Sequence, residues 1–83
     1  MKFSYPAILE VDKVDPKYVC VTFPDIIGAV TFGEGEEDSL KMAKDLLETM
    51  LDFDYVREIK PTSLEKTKQN FPNYKVVMVE IEK

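Results

Sequence analysis

Tyr18-Val19-Cys20-Val21-Thr22-Phe23-Pro24-Asp25-Ile26-Ile27-Gly28 is a strand that runs into its own stop. Residues 18–23 are almost all β-branched or aromatic, the composition of a pleated, half-buried segment. Pro24 has no N–H for a ladder, so the strand ends there. Gly28 marks a connection that needs positive φ or close backbone approach. Downstream, Ala29-Val30-Thr31-Phe32 makes a short third strand, closed by Gly33-Glu34-Gly35. Upstream, Phe3, Tyr5, Ala7, Leu9 and Val11 are apolar at every second place, the period of a strand buried on one face. Pro6 is discordant in that strand, and Asp12 to Lys17, with Pro16, reads as a polar turn. Three short strands with brief connections predict an antiparallel meander.

The period then changes. From Glu36 to about Phe53, Leu40, Ala43, Leu46, Leu47, Met50 and Leu51 trace the stripe of an amphipathic helix. Gly35 is the expected N-cap, and Glu36, Glu37 and Asp38 favour the positive end of the helix dipole. Lys41 and Lys44 have the spacing to pair with Glu37, Asp38 or Glu48. Pro61 ends this region. Thr62-Ser63-Leu64-Glu65 has capping-box spacing and predicts a short second helix to about Asn70. Tyr74 to Ile81 is a last strand, apolar on both faces in its middle.

Composition narrows the function. Eighty-three residues make one domain. The chain has no histidine and a single cysteine, Cys20, which removes the commonest general base and metal ligand and any internal disulfide. No apolar run approaches the ~20 residues of a membrane span, and the N-terminus lacks a signal sequence, so the expected location is the cytoplasm. A net charge of −5 disfavours phosphate backbones and suits a basic protein partner.

Few residues could carry chemistry. Glu10 and Asp12 on the first strand, with Glu80 and Glu82 on the last, could converge on a divalent cation if those strands were adjacent. Solvated strand ends are the simpler reading. Cys20 lies mid-strand without a base and reads as a buried structural thiol. The glycines match no phosphate loop. Tyr5, Tyr18, Phe23 and Phe32 lack flanking cations for nucleic-acid stacking, so core or protein-interface roles are expected. No catalytic residue, metal site or cofactor is expected. The acids Asp25, Glu34, Glu36, Glu37 and Asp38 are the candidate partner-binding groups.

Tyr5-Pro6-Ala7, then Tyr18 through Phe23-Pro24-Asp25 and Gly28, then Thr31 and Gly33 before an acidic helix, resemble the N-terminal domain of HicB antitoxins. The Pro61-to-Glu65 segment and the closing strand are also similar. The resemblance implies a partial, degenerate RNase H-like fold of class α+β. Its order would be β-β-β-α-(short α)-β, with a three-stranded antiparallel meander and a last strand returning parallel beside the first. It implies a non-enzymatic antitoxin that neutralises a small basic HicA-type toxin, an mRNA-cleaving protein of a type II toxin–antitoxin pair. An orphan HicB-like oligomeric interaction or regulatory module without a toxin is the alternative. The family usually continues into a DNA-binding domain, whereas this chain stops at Lys83, so the expectation is a single domain over 1–83 without direct nucleic-acid binding. Exposed strand edges in so small a domain favour a homo-oligomer.

Overall fold

A computed structural model describes residues 1–83. The chain runs β1 (Lys2–Val11), β2 (Tyr18–Thr22), β3 (Val30–Glu34), α1 (Gly35–Met50), α2 (Asp54–Arg57), α3 (Leu64–Asn70) and β4 (Lys75–Glu82). The strands form one sheet in the order β3-β2-β1-β4, with every neighbouring pair antiparallel.

The expected meander of β1, β2 and β3 is present, with Leu9 opposite Val21 and Val21 opposite Thr31. The odd positions of β1 point inward, and Tyr5, Ala7 and Leu9 are buried against Val19, Val21 and Phe23 from the second strand and its end. Across them lies α1, whose predicted stripe is the one that packs: Ala43, Leu47 and Leu51 are fully buried, with Leu40, Leu46 and Met50 partly buried beside them. Val56 and Val79 complete this core. Pro6 is tolerated in β1 because β2 ends at Thr22, opposite Ile8. Below that point only β4 pairs with β1, so the sheet loses no β1–β2 ladder bond at the proline.

The predicted parallel return of the last strand is corrected. β4 lies beside β1 as expected but runs antiparallel to it, with Lys2 opposite Glu82 and Leu9 opposite Lys75. The cause is the path of the connection. Helix α1 ends near the start of β1, where the Lys83 ammonium reaches the Glu48 carbonyl and the Asp52 carboxylate. Residues 52–74 then carry the chain back to the far end of β1 before β4 begins, so β4 descends as α1 does. Of the partial RNase H-like arrangement, the sheet has the meander and the last strand beside β1 but not the parallel return.

Smaller differences have local causes. Helix α1 stops at Met50 rather than near Phe53, because Phe53 is extended and caps α2. Arg57 Nε donates to the Leu51 carbonyl at 2.6 Å and satisfies one of the free acceptors at that helix end. At the other end Glu34 holds the cap position, and Gly35, the expected cap, opens the helix at φ +84. The Lys41 and Lys44 pairs are not formed; the ion pairs are Lys2–Glu80, Lys17–Asp15, Lys75–Glu36 and Lys83–Asp52. Helix α3 is capped by Ser63, whose hydroxyl accepts from the Lys66 N–H, and not by Thr62.

Candidate partner-binding site

Two ends of the β2–β3 hairpin carry the residues singled out by sequence, and they do different work. At one end, Phe23 to Ala29 folds into a compact turn: the Phe23 N–H donates to the Ala29 carbonyl at 3.0 Å and the Ile26 N–H to the Phe23 carbonyl at 3.1 Å. Phe23, Ile26 and Ala29 are buried, and Gly28 takes φ +83, the left-handed region that glycine enters without penalty. Pro24 is half-buried on the turn. Asp25 points back to the chain: its carboxylate accepts from the Thr62 N–H at 2.7 Å and from the Thr62 hydroxyl at 2.8 Å.

Beside this clamp, Tyr5 is only 1% exposed, and its hydroxyl donates to the Val56 carbonyl at 2.8 Å, with the Ile59 carbonyl 3.2 Å away. Burial, and secondarily the charge of Asp25, raises the phenol pKa above its ordinary value. Tyr5 and Asp25 thus hold the 52–62 connection to the sheet, Tyr5 at Val56 and Ile59 in its middle and Asp25 at Thr62.

At the opposite end, β3 passes into α1 with almost no space between them. A Cβ on Gly33 would lie 2.5 Å from the Ser39 nitrogen and 2.6 Å from its Cα, so only glycine fits. Ser39 is buried, and its hydroxyl donates to the Glu36 carbonyl at 2.7 Å. The acids cluster here. Glu34, Glu36, Glu37 and Asp38 are all exposed. Glu36 pairs with Lys75, and Asp38 accepts from the Glu34 N–H at 2.9 Å. Glu34 and Glu37 make no ion pair. Asp25 does not join this group, since the length of β3, about 17 Å at strand rise, separates the two ends.

The remaining groups fall apart in space. Glu10 faces Cys20, while Glu80 faces Ser4, six residues or about 20 Å away along β1. Asp12 accepts from the Val14 N–H at 2.7 Å and shapes its own turn. No three acids or thiols are placed to hold a metal ion. Cys20, expected to be buried, is half-buried on the sheet face away from α1. The four aromatic residues also divide. Tyr5 and Phe23 are in the core, while Tyr18 and Phe32 stack edge-on at 5.7 Å on the outer face. Thr31 is half-buried opposite Val21, and Ala7 is fully buried.

On the outer side of β3 the sequence points to Phe32 for a core or protein-interface role but not to its exposed neighbours Val30 and Ile27. Val30 is 58% exposed, Phe32 59%, and Ile27 just before them 92%. The available signal was that Val30 and Phe32 share one face of a strand whose other face is already filled by Ala29 and Thr31.

No protein-family model matches the chain, and no curated protein matches it. Solved structures do. The chain is similar to the crystal structure of the N-terminal domain of Burkholderia pseudomallei antitoxin HicB, with a TM-score of 0.78 and 17% identity over 98% of this chain and 100% of that one. It is also similar to a chain of a toxin–antitoxin complex from Streptococcus pneumoniae, with a TM-score of 0.74 and 21% identity over 99% of this chain and 70% of that one. The chain therefore has the fold of the HicB antitoxin N-terminal domain. No helix is long and apolar enough to cross a membrane.

Proposed function

We propose that this chain is an antitoxin domain that binds a small basic HicA-type toxin in the cytoplasm and blocks its cleavage of mRNA. The observation that carries the reading is the match in fold to an antitoxin domain over the full length of both chains. The chemistry agrees with it: the carboxylates are dispersed, and the acids that are clustered lie exposed at one end of the molecule. A basic partner would meet Glu34, Glu36, Glu37 and Asp38 there, with charge steering the encounter. Asp25 contributes by holding the hairpin in shape. In this reading the protein acts by occlusion and needs neither a cofactor nor a catalytic residue.

A second reading, favoured by the exposed apolar edge of β3, is an oligomeric interaction module with no toxin. Co-expression with the product of the adjacent open reading frame separates the two. The antitoxin reading expects growth arrest by the neighbour alone, rescue by this chain, and co-purification of the pair. A neighbour that is neither toxic nor bound would sink it.

A further inference from the structure

The core is left open where β1 outruns β4. β4 begins at Lys75, opposite Leu9, while β1 runs on to Val11, which has no β4 residue opposite it. Leu9, Val11 and Val19 lie on the sheet face that looks toward α1. The helix does not roof them with apolar groups. Its first turn offers Glu36, Glu37 and Asp38, and its apolar stripe begins only at Leu40. What remains is a cavity of about 180 Å³ lined by Leu9, Val11, Val19, Glu36 and Lys75.

The lining divides by chemistry. Three apolar side chains supply one wall, with Leu9 and Val19 buried and Val11 exposed. On the other the Glu36 carboxylate pairs with the Lys75 ammonium, and both side chains stay well exposed to solvent. An exposed ion pair of this kind is weakly held. Lys75 is thus a resident cation on an acid that a better-fitting cation can take. The cavity is smaller than the roughly 300–1,000 Å³ of small-molecule sites, and it suits one long side chain. An anion is repelled by Glu36 and its neighbour Glu37. An apolar side chain would cover the carboxylate without giving it a partner.

We propose that this cavity receives one arginine side chain of a basic protein partner, which displaces Lys75 from Glu36. The arginine stem covers Leu9, Val11 and Val19, and the guanidinium binds the Glu36 carboxylate through paired N–H donors. Arginine is preferred to lysine because its planar head matches a carboxylate and is more weakly hydrated. A net charge of −5, with Glu34, Glu37 and Asp38 beside the cavity, draws a cationic chain to this end. Lys75 competes with the partner and so sets the affinity. That the partner is a toxin rests on the reading above; the preference of the cavity for arginine does not.

Two measurements test it, on variants that keep side-chain length and are checked for folding by circular dichroism. In the first, amide NMR shifts of the chain are followed during titration with N-acetylarginine amide. N-acetyllysine amide and the neutral N-acetylnorleucine amide are the controls. Saturable shifts are expected at Val11, Val19, Glu36 and Lys75, strongest with the arginine probe. Lys75→Met should tighten that binding about threefold, and Glu36→Gln should abolish it. No saturable shift in Lys75→Met, equal shifts in Glu36→Gln, or equal binding of either control overturns the proposal. In the second, dissociation of the complex with the product of the adjacent open reading frame is timed. Glu36→Gln should speed it about tenfold, whereas Glu37→Gln, outside the cavity, should change mainly the association rate. An unchanged dissociation rate for Glu36→Gln overturns the proposal and leaves toxin binding standing. Absence of any complex sinks the toxin reading instead, and the arginine titration still decides the cavity.

Discussion

Asp25 grips Thr62 with both carboxylate oxygens, at 2.7 Å to the N–H and 2.8 Å to the hydroxyl, across 37 residues of sequence. This joins the β2–β3 turn to the last irregular residues before α3. Hydrogen bonds to a charged group are worth about 1.5–3 kcal/mol each when one partner is removed. Asp25→Ala is therefore expected to lower unfolding free energy by about 2–4 kcal/mol. Thr62→Ala, which keeps the backbone donor, should cost about 1 kcal/mol. Urea denaturation of both single variants and the double variant checks this, and the losses should be markedly non-additive.

Gly33 and Gly28 are both motif glycines but for different reasons. Alanine at 33 would drive its Cβ into the backbone of Ser39 and Asp38, and the cost of such overpacking is about 1–3 kcal/mol or more. Alanine at 28 meets open space and is penalised only by φ +83, about 1–2 kcal/mol. Gly33→Ala should thus be the more damaging of the two in thermal melts. Equal losses would mean that β3 and α1 can move apart at little cost.

Tyr5 gives the fold an alkaline limit. Its phenol pKa is raised by burial and by Asp25, so the neutral form is the one the folded state favours. That stabilisation is complete below the ordinary tyrosine value of about 10 and is lost as pH rises through the higher folded value. Stability measured from pH 9 upward should fall for the wild type. Tyr5→Phe should start about 1 kcal/mol lower, from its lost hydrogen bond, and fall less steeply.

The acidic end and the clamp should separate in a binding experiment. Glu34→Lys with Glu37→Lys changes exposed side chains without ion pairs, so the stability loss should be confined to reversing charge at the α1 N-terminus, about 1–2 kcal/mol, with the fold retained. Association with a basic partner should slow about tenfold and lose its salt dependence. Stopped-flow binding at two salt concentrations reads this directly. An unchanged rate would place the contact surface elsewhere.

Much of this architecture could be read from the chain. The stripe from Leu40 to Leu51 and the alternation from Phe3 to Leu9 each commit one face to the core, and those are the faces that are buried. The direction of β4 could not be read in this way. It depends on where residues 52–74 travel, and that stretch has no hydrophobic period long enough to reveal its path. Thr62 had the look of a helix cap because of Glu65, yet its donors serve Asp25, and Ser63 caps α3 instead. Asp25 was grouped with Glu34 to Asp38 by sign of charge alone, and the hairpin places it at the other end. Periodicity reports which side chains go inward; it does not report which distant backbone group a single polar side chain will meet.

The function proposed for this chain is neutralisation of a toxin by binding. The most direct measurement is RNA cleavage by the purified product of the adjacent open reading frame, titrated with this chain. Cleavage should fall linearly and stop near equimolar chain, with a stable complex on gel filtration. Undiminished cleavage at several-fold excess of folded chain, with no complex formed, would contradict the account.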